Sequence, residues 1–392
     1  MKLTSAILNL NRRSASRPGF IQRLQFFLRL LIAFGMQWLA NRASAENHVD
    51  YRYEYYGEEG DRITVETHSA YFEQKLIDAV IAKGEFVYDG ISGATPTGTY
   101  RFSPTSGVIK TTQLEDTRLA GNLAFDCRLG NQTLTPGFAY STESDYESYG
   151  VSLNDAIEFN DKNTTLQFGV SHNFDSVRHI DQVTWSDKDS TEAIIGISQL
   201  LSPKTIFTAA FTFGYESGYL SDPYRQAEFV YPLHNLGVVR YENRPTERDK
   251  QIFFTSITQF ISPLNASIEG SYRFYHDSYD VSAHTVALTW HQRLGKHLIV
   301  ESAFRVYQQS AASFYSPLFH DNPANVKYYS ADYRLSEFYS LDMGLQATVI
   351  ANDHLRFNLG YHRYEMQGLD GKTVSTMYPS SNVFTAGVQI WF

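Results

Sequence analysis

Cysteine is almost absent from this chain of 392 residues, since Cys127 is the only one. A single cysteine excludes an intrachain disulfide and a cysteine-rich zinc site. Long apolar runs are missing too: the longest, Leu30 to Ala40, is shorter than the roughly 20 residues that a membrane-spanning helix needs. Acidic residues outnumber basic ones, 42 to 33, which argues against a nucleic-acid partner. Without a glycine-rich phosphate loop, the sequence predicts no cofactor.

The first 45 residues differ from the rest, because they contain seven basic side chains and no acid. The apolar stretch Leu30 to Ala40 follows this basic region, and Ala43-Ser44-Ala45 then gives a small-x-small cleavage pattern before Glu46. We predict a signal peptide at 1–45, cleaved after Ala45, and a mature domain at 46–392. The alternative is an N-terminal anchor helix that stays in place.

Aromatic residues are abundant, with 27 tyrosines and 27 phenylalanines. Aromatic enrichment with moderate hydropathy suits a β protein that has aromatic girdles at the membrane interfaces. Runs of about 10 residues with a period of two occur sixteen times. The clearest is Arg118 to Leu129, in which Leu119 and Leu123 oppose Asp126 and Arg128. Such alternation indicates strands with one apolar and one polar face.

Short and long connections between these runs alternate along the chain. Leu129 to Asn131 and Ile350 to Asp353 are short, whereas Ile91 to Thr111, Phe174 to Ser190 and Gly218 to Glu247 are long. This rhythm is typical of a barrel with brief periplasmic turns and longer extracellular loops. We predict an all-β fold, a single transmembrane antiparallel up-and-down β-barrel of about 16 strands, with 14 as the alternative.

In the last twelve residues, apolar side chains recur at every second position from Phe384 to the final Phe392. This stretch resembles the C-terminal signal of bacterial outer-membrane barrels. We expect it to be the closing strand, paired with a first strand near Val49, so that both termini are periplasmic in a Gram-negative outer membrane. The predicted barrel-assembly residues are Phe384, Val388, Ile390 and Phe392.

Six stretches in a fixed order carry a further resemblance. They are ISGATPTG (91–98), NDKNTTL (160–166), GYLSDPYR (218–225), YRFYHDSYDVSAHT (272–285), QQSAASFY (308–315) and DYRLSEF (332–338). Together they resemble the uncharacterised family called domain of unknown function 3570, over nearly all of the mature chain. The resemblance implies an outer-membrane β-barrel and brings no known activity or site.

The charged residues of the predicted strands occupy the polar one of the two alternating sets of positions, and this set would face the barrel interior. Sixteen strands leave an aqueous lumen, and charges along it would favour small polar solutes, as in a porin-like channel. The alternative is that these charges pair across strands and fill a plugged lumen. The candidates are Arg118, Asp126, Arg128, Glu143, Asp145, Glu216, Glu269, Arg273, Glu301, Arg305 and Arg356.

The segment GYLSDPYR contains the turn former Asp222-Pro223. In one interpretation it is an outer loop that packs against the barrel rim. In the other it folds inward as a constriction, with Asp222 and Arg225 lining the pore.

A membrane-embedded lipid hydrolase is an alternative from a different class. Ser282 and His284 lie two residues apart on one strand face, and a serine hydrogen-bonded to a histidine is the minimum for acyl transfer. The same residues would also suit an ordinary position at the membrane interface. The enzyme question therefore stays open at this point.

Two further possibilities concern partners. Asp181, Asp187 and Asp189, with His172 and His179, could hold Ca²⁺ in an outer loop, although their spacing matches no calcium-loop motif. A solvated acidic loop near lipopolysaccharide explains them equally, and we predict no metal site. The barrel could also be a scaffold for a surface or periplasmic assembly. Expected partners are outer-membrane lipid, lipopolysaccharide, the barrel-assembly machinery and a small polar solute.

Overall fold

The computed structural model describes residues 47–100, 108–179, 183–230 and 237–392. Sixteen antiparallel strands form one closed barrel, in which each strand pairs with its neighbours along the chain. The barrel closes where β1 pairs with β18, with Val49 opposite Ile390. The predicted all-β barrel of 16 strands and its closing strand are therefore confirmed. The predicted signal peptide lies outside the described residues.

Eighteen strands are present in the described residues, and two of them, β10 and β11, form a separate hairpin. The bounds are β1 His48–Glu58, β2 Thr64–Ile77, β3 Val80–Tyr100, β4 Ile109–Leu129, β5 Gln132–Thr142, β6 Tyr146–Phe159, β7 Thr164–Arg178, β8 Trp185–Ser202, β9 Thr205–Gly218, β10 Gln226–Val230, β11 Gly237–Tyr241, β12 Glu247–Ile261, β13 Ala266–Asp277, β14 Ser282–Leu294, β15 Leu298–Gln309, β16 Phe338–Asn352, β17 Leu355–Gly368 and β18 Ser380–Trp391.

Short 3-10 turns are the helical elements of the described chain: Ser262–Leu264, Pro323–Asn325, Tyr333–Leu335 and Ser375–Met377. None of the described helices has the length and apolar character to cross a membrane.

The two faces of the barrel wall differ in polarity. On β18 the side chains of Phe384 and Ile390 are exposed on the outside, whereas Ser381 and Thr385 on the other face are buried. The same alternation places Leu119 and Leu123 of β4 outside. Because successive side chains of a strand point to opposite faces, the charged parity of each strand points inward.

The two ends of the barrel differ in the length of their connections. At one end, which we call the short-turn end, seven turns of two to four residues join successive strands. Asn47 and Phe392 also lie there, joined by a backbone hydrogen bond of 3.0 Å. At the other end, the long-loop end, the two longest connections are 219–246 and 310–337.

Two of the predicted connections are shorter than the sequence suggested. The stretch Ile91 to Thr111 was expected to be a loop, but β3 continues to Tyr100 and β4 begins at Ile109. Likewise β7 continues to Arg178 and β8 begins at Trp185. Both hairpins therefore reach further from the short-turn end than the strands beside them. The end of β3, from Ala94 onward, is buried because loop residues cover it.

Candidate functional site

The two longest connections pack against each other at the long-loop end. The first, 219–246, contains GYLSDPYR and the β10–β11 hairpin; the second is 310–337. Asn243 and Tyr329 exchange two backbone hydrogen bonds, of 3.0 and 2.9 Å, across them. Phe229 is fully buried against Phe319 and Ala331. This small core joins the two loops.

Both loops lie inside the barrel mouth. Tyr333 and Arg334 of the second loop share a cavity with Tyr56, Asp342 and Tyr364, which belong to the inward parity of their strands. Tyr224 of the first loop donates a hydrogen bond to Asp145, in the β5–β6 turn. The loops therefore narrow the entrance.

Gly98 shows how closely the loops approach β3. Its φ is +94°, and a Cβ atom placed there would lie 2.6 Å from the carbonyl oxygen of Gln226 and 2.9 Å from that of Ala331. Only glycine adopts this positive φ readily and also leaves room for the two carbonyl groups without displacing the backbone. The end of β3 is thus wedged between the two loops.

Six charged side chains connect the loops, and we call them the loop network: Asp222, Arg225, Glu242, Arg244, Asp332 and Arg334. Asp332 is the central acid. Its Oδ2 lies 2.8 Å from Arg244 Nη2, 2.9 Å from Arg334 Nε and 3.7 Å from Arg225 Nε. Arg334 also bridges to Asp222 of the first loop, and Arg244 Nε lies 2.7 Å from Glu242. Three carboxyl groups face three guanidinium groups.

The centre of this network is buried, whereas Arg334 at its edge is exposed. The Asp332 side chain is 1% exposed. Burial would raise the pKa of the Asp332 carboxyl, but Arg334 and Arg225 outweigh it and hold that pKa well below its usual range. The same two arginines also lower the pKa of Asp222. Burial raises the pKa of Glu242 despite the adjacent Arg244. Removing one partner would leave buried charges uncompensated.

The predicted pore-lining pair, Asp222 and Arg225, belongs to this network. Arg225 is 5% exposed, donates to Thr95 Oγ1 at 3.1 Å and lies over the ring of Tyr333. It is therefore enclosed rather than presented to open space, because acids and an aromatic ring surround its guanidinium. GYLSDPYR does fold inward, and its arginine holds the loops together.

The other predicted pore-lining residues lie on the inward parity or in the β5–β6 turn. Several are paired across strands: Arg118 with Asp89 at 2.6 Å, Asp126 with Lys83 at 2.7 Å, Glu216 with Lys250 at 2.7 Å, and Glu301 with His291 at 3.3 Å. Cross-strand pairing between acids and lysine or arginine thus compensates part of the interior charge.

Other inward residues make different contacts. Arg273, Arg305 and Arg356 lie over the rings of Tyr275, Tyr307 and Trp391. Glu269 accepts a hydrogen bond of 3.3 Å from Thr258, and Arg128 is exposed near the short-turn end.

Ser282 and His284, the candidates for the alternative hydrolase function, each have a hydrogen-bond partner other than the other. Ser282 Oγ lies 2.9 Å from His276 Nδ1, whereas His284 Nδ1 lies 2.7 Å from the Tyr272 hydroxyl. Each side chain therefore bonds to the neighbouring strand β13 instead of to the other. The two residues share the outward face with Val286, as an interfacial position would.

The residues weighed as possible calcium ligands are not gathered into one site within the described part of the chain. His172 Nε2 lies 3.6 Å from Asp189 Oδ1, and the ring of His179 packs edge-on against Tyr241. Asp181 lies outside the described residues.

A different set of acids does meet. Ligand atoms of Asp116, Glu143 and Asp145 all lie within 4.8 Å of one another, and we call these residues the acid cluster. Asp116 was missed from the sequence, although it precedes Arg118 by two residues on the same strand face. Extending the alternating pattern of β4 by one more inward position, toward the start of the strand, would have identified Asp116.

The acid cluster borders a cavity of about 410 Å³ in the barrel mouth, which we call the mouth cavity. Glu143 and Asp145 line one side, and the loop residues 219–224 line the other. Its remaining walls contain Tyr146, Val177, Lys188, Glu216, Arg244, Arg248 and Tyr279.

Glu143 is the perturbed acid of the cluster. Burial, with the neighbouring Asp116 and Asp145 carboxyls, raises the pKa of Glu143 to about 6, and Arg118 opposes this shift. Burial also raises the pKa of Asp145, against the hydrogen bond from Tyr224. Crowded carboxyl groups ionise less readily in this turn than in water.

A family model described as "Protein of unknown function (DUF3570)" matches residues 31–186 and 177–388. The chain belongs to this family. The resemblance drawn from the six sequence stretches is thereby confirmed. No curated protein matches this DUF3570 chain.

Solved structures show similar barrels. CdiB from Acinetobacter baumannii is similar with a TM-score of 0.50 and 9% identity, over 89% of this chain and 61% of CdiB. The siderophore receptor PirA from Pseudomonas aeruginosa gives 0.43 and 10%, over 83% and 57%. A loop-deleted OmpT, an outer membrane protein of Vibrio cholerae, gives 0.43 and 7%, over 88% and 98%. The DUF3570 chain thus spans less than two thirds of CdiB and of PirA. At these identities the similarity concerns the fold alone.

Proposed function

We propose that this barrel is a porin-like channel for small polar solutes in the outer membrane of a Gram-negative bacterium. The exposed apolar outer face suits contact with lipid, and the inward parity carries the charges. In this orientation the short-turn end and both termini are periplasmic and the long loops are extracellular. A barrel of sixteen strands is wide enough for an aqueous passage.

One observation carries the proposal of a selective rather than a wide channel: the loop network buried inside the mouth. It holds both longest loops across the entrance, so a solute must pass beside them. Fixed charges at such a constriction select among solutes.

Single-channel conductance in a planar bilayer tests this function. The purified barrel should conduct, and Asp332→Asn should raise the conductance, because weakening the central acid releases the two loops. Asp161→Asn is the matched control, since Asp161 lies in the exposed β6–β7 turn at the opposite end. Absence of any conductance, with and without the substitution, would reject the channel.

The terminal strand is proposed as the barrel-assembly signal. Phe384 and Ile390 are exposed on the outer face, and Phe392 donates a backbone hydrogen bond to Asn47 beside the closing pair of strands. An apolar edge of this kind suits recognition by the assembly machinery before β1 and β18 pair.

A further inference from the structure

The basic side chains around the mouth cavity are already paired. Lys188 Nζ lies 3.6 Å from Asp175, and Arg248 Nε donates to Asp277 at 2.9 Å. Arg244 belongs to the loop network. The cavity walls therefore present little uncompensated positive charge.

The acids of the opposite wall are not compensated in the same way. Within the described residues, no side chain pairs with the Glu143 carboxyl. Asp145 accepts a hydrogen bond from the Tyr224 hydroxyl, and Asp116 accepts one from the Ser144 hydroxyl. Neither partner carries a positive charge.

Two arginines lie near the acid cluster without neutralising it. Arg118 is held 2.6 Å from Asp89 on the inner wall. Arg178 donates to the carbonyl oxygen of Ser144 at 2.5 Å and lies over the ring of Trp185. Among the described residues, the three carboxyl groups of the acid cluster thus face one arginine, Arg178, that pairs with no described acid, and Glu143 and Asp145 give this side of the cavity a negative character.

We propose that the mouth cavity makes the channel selective for positively charged solutes, small organic amines in particular, and that Glu143 and Asp145 determine this selectivity. This inference rests on the channel function proposed above. Tyrosine rings attract cations through their π faces, and Tyr146 and Tyr219 line the same cavity. Its volume, about 410 Å³, suits a small organic molecule.

Ion selectivity is the first measurement. The reversal potential across a KCl gradient should show preference for K⁺ over Cl⁻ in the unaltered barrel. Glu143→Gln with Asp145→Asn should remove most of that preference, whereas the control Asp161→Asn should keep it. Since Asp145 holds Tyr224, Glu143→Gln alone, which leaves that contact in place, should give a smaller loss in the same direction.

Block by a diamine is the second measurement. When 1,4-diaminobutane is added at the long-loop side, it should reduce the K⁺ current. The double substitution should weaken this block roughly four- to tenfold, because it removes two negative charges that would lie within a few ångströms of the bound amine. The neutral isostere 1,4-butanediol should not block.

The outcomes separate the two proposals. A conducting barrel without cation preference, or with equal block by diol and diamine, overturns the selectivity while the channel stands. Block by CaCl₂ at far lower concentration than by the diamine overturns the assignment to organic amines. A barrel that never conducts overturns the channel, and this inference with it.

Discussion

At the short-turn end, two to four residues join neighbouring strands, and the contacts there are local except at the seam between β1 and β18. At the long-loop end, contacts join residues far apart in the chain, such as Arg225 with Thr95 and Arg334 with Asp222. The first end is specified by strand period and turn residues, while the second depends on buried charge. The barrel wall and the packing of the loops in its mouth are thus built from different interactions, and changes at each end should have different effects.

The largest effect is expected from deleting Phe392. The deletion removes the last aromatic of the closing strand together with its hydrogen bond to Asn47, so most of the folded barrel should be lost from the outer membrane. Deleting the exposed Lys372 in the β17–β18 loop is the control. The folded fraction is measured by the heat-dependent shift on a denaturing gel. Normal insertion of the chain without Phe392 would contradict the assembly role.

The next effect concerns the loop network. Asp332→Ala leaves the enclosed Arg225 and Arg244, and the more exposed Arg334, without their central acid, and the loop arrangement should lose about 3–5 kcal/mol. Limited proteolysis should then cut 219–246 and 310–337 much faster. The barrel itself should still form, because no barrel strand includes Asp332. Unchanged cleavage would show that the small core at Phe229 is sufficient to hold the loops.

Two glycines permit a direct comparison of the ends. Gly98→Ala at the long-loop end adds a Cβ against two carbonyl groups and should cost about 2–3 kcal/mol, through strain and displaced loops. Gly130→Ala at the short-turn end also has positive φ, +68°, but nothing lies within 4 Å of its Cβ. It should cost only about 1 kcal/mol. Equal loop cleavage in both variants would argue against the wedge at β3.

The smallest effect is the dependence of selectivity on pH. Because the pKa of Glu143 is raised to about 6, its carboxyl is mostly ionised at pH 7.5 and mostly neutral at pH 5. Cation preference should therefore fall as pH drops through about 6, and Glu143→Gln should flatten that change. Charged and titratable groups around it are Asp89, Asp116, Arg118, Asp145, Tyr146, Arg178, Lys188 and Tyr224. A transition that persists in Glu143→Gln would assign the titration to one of these.

Sequence reasoning succeeded where a feature is local and periodic. The face of Phe384 and Ile390, the closing partner near Val49 and the strand number all follow from a period of two and from turn residues. It placed the end of β3 wrongly, because Gly93 and Gly98 are typical of loops whereas burial against two loops extends this strand.

The candidate site could be predicted only in part. GYLSDPYR and the turn acids Glu143 and Asp145 were identified, but their partners were not. Asp332 lies 110 positions after Asp222, and no periodicity indicates that they share arginines. Ser282 likewise bonds to His276 across the strands, and that register is visible only in the folded sheet.

The seam between β1 and β18 also constrains the order of events during biogenesis. His48 pairs with Trp391, so the first strand has no partner on one edge until β18 has been synthesised. Joining segments so distant along the chain is entropically costly and slow. The barrel therefore cannot close before the whole chain is available, and the unpaired strand edges need protection from aggregation until then.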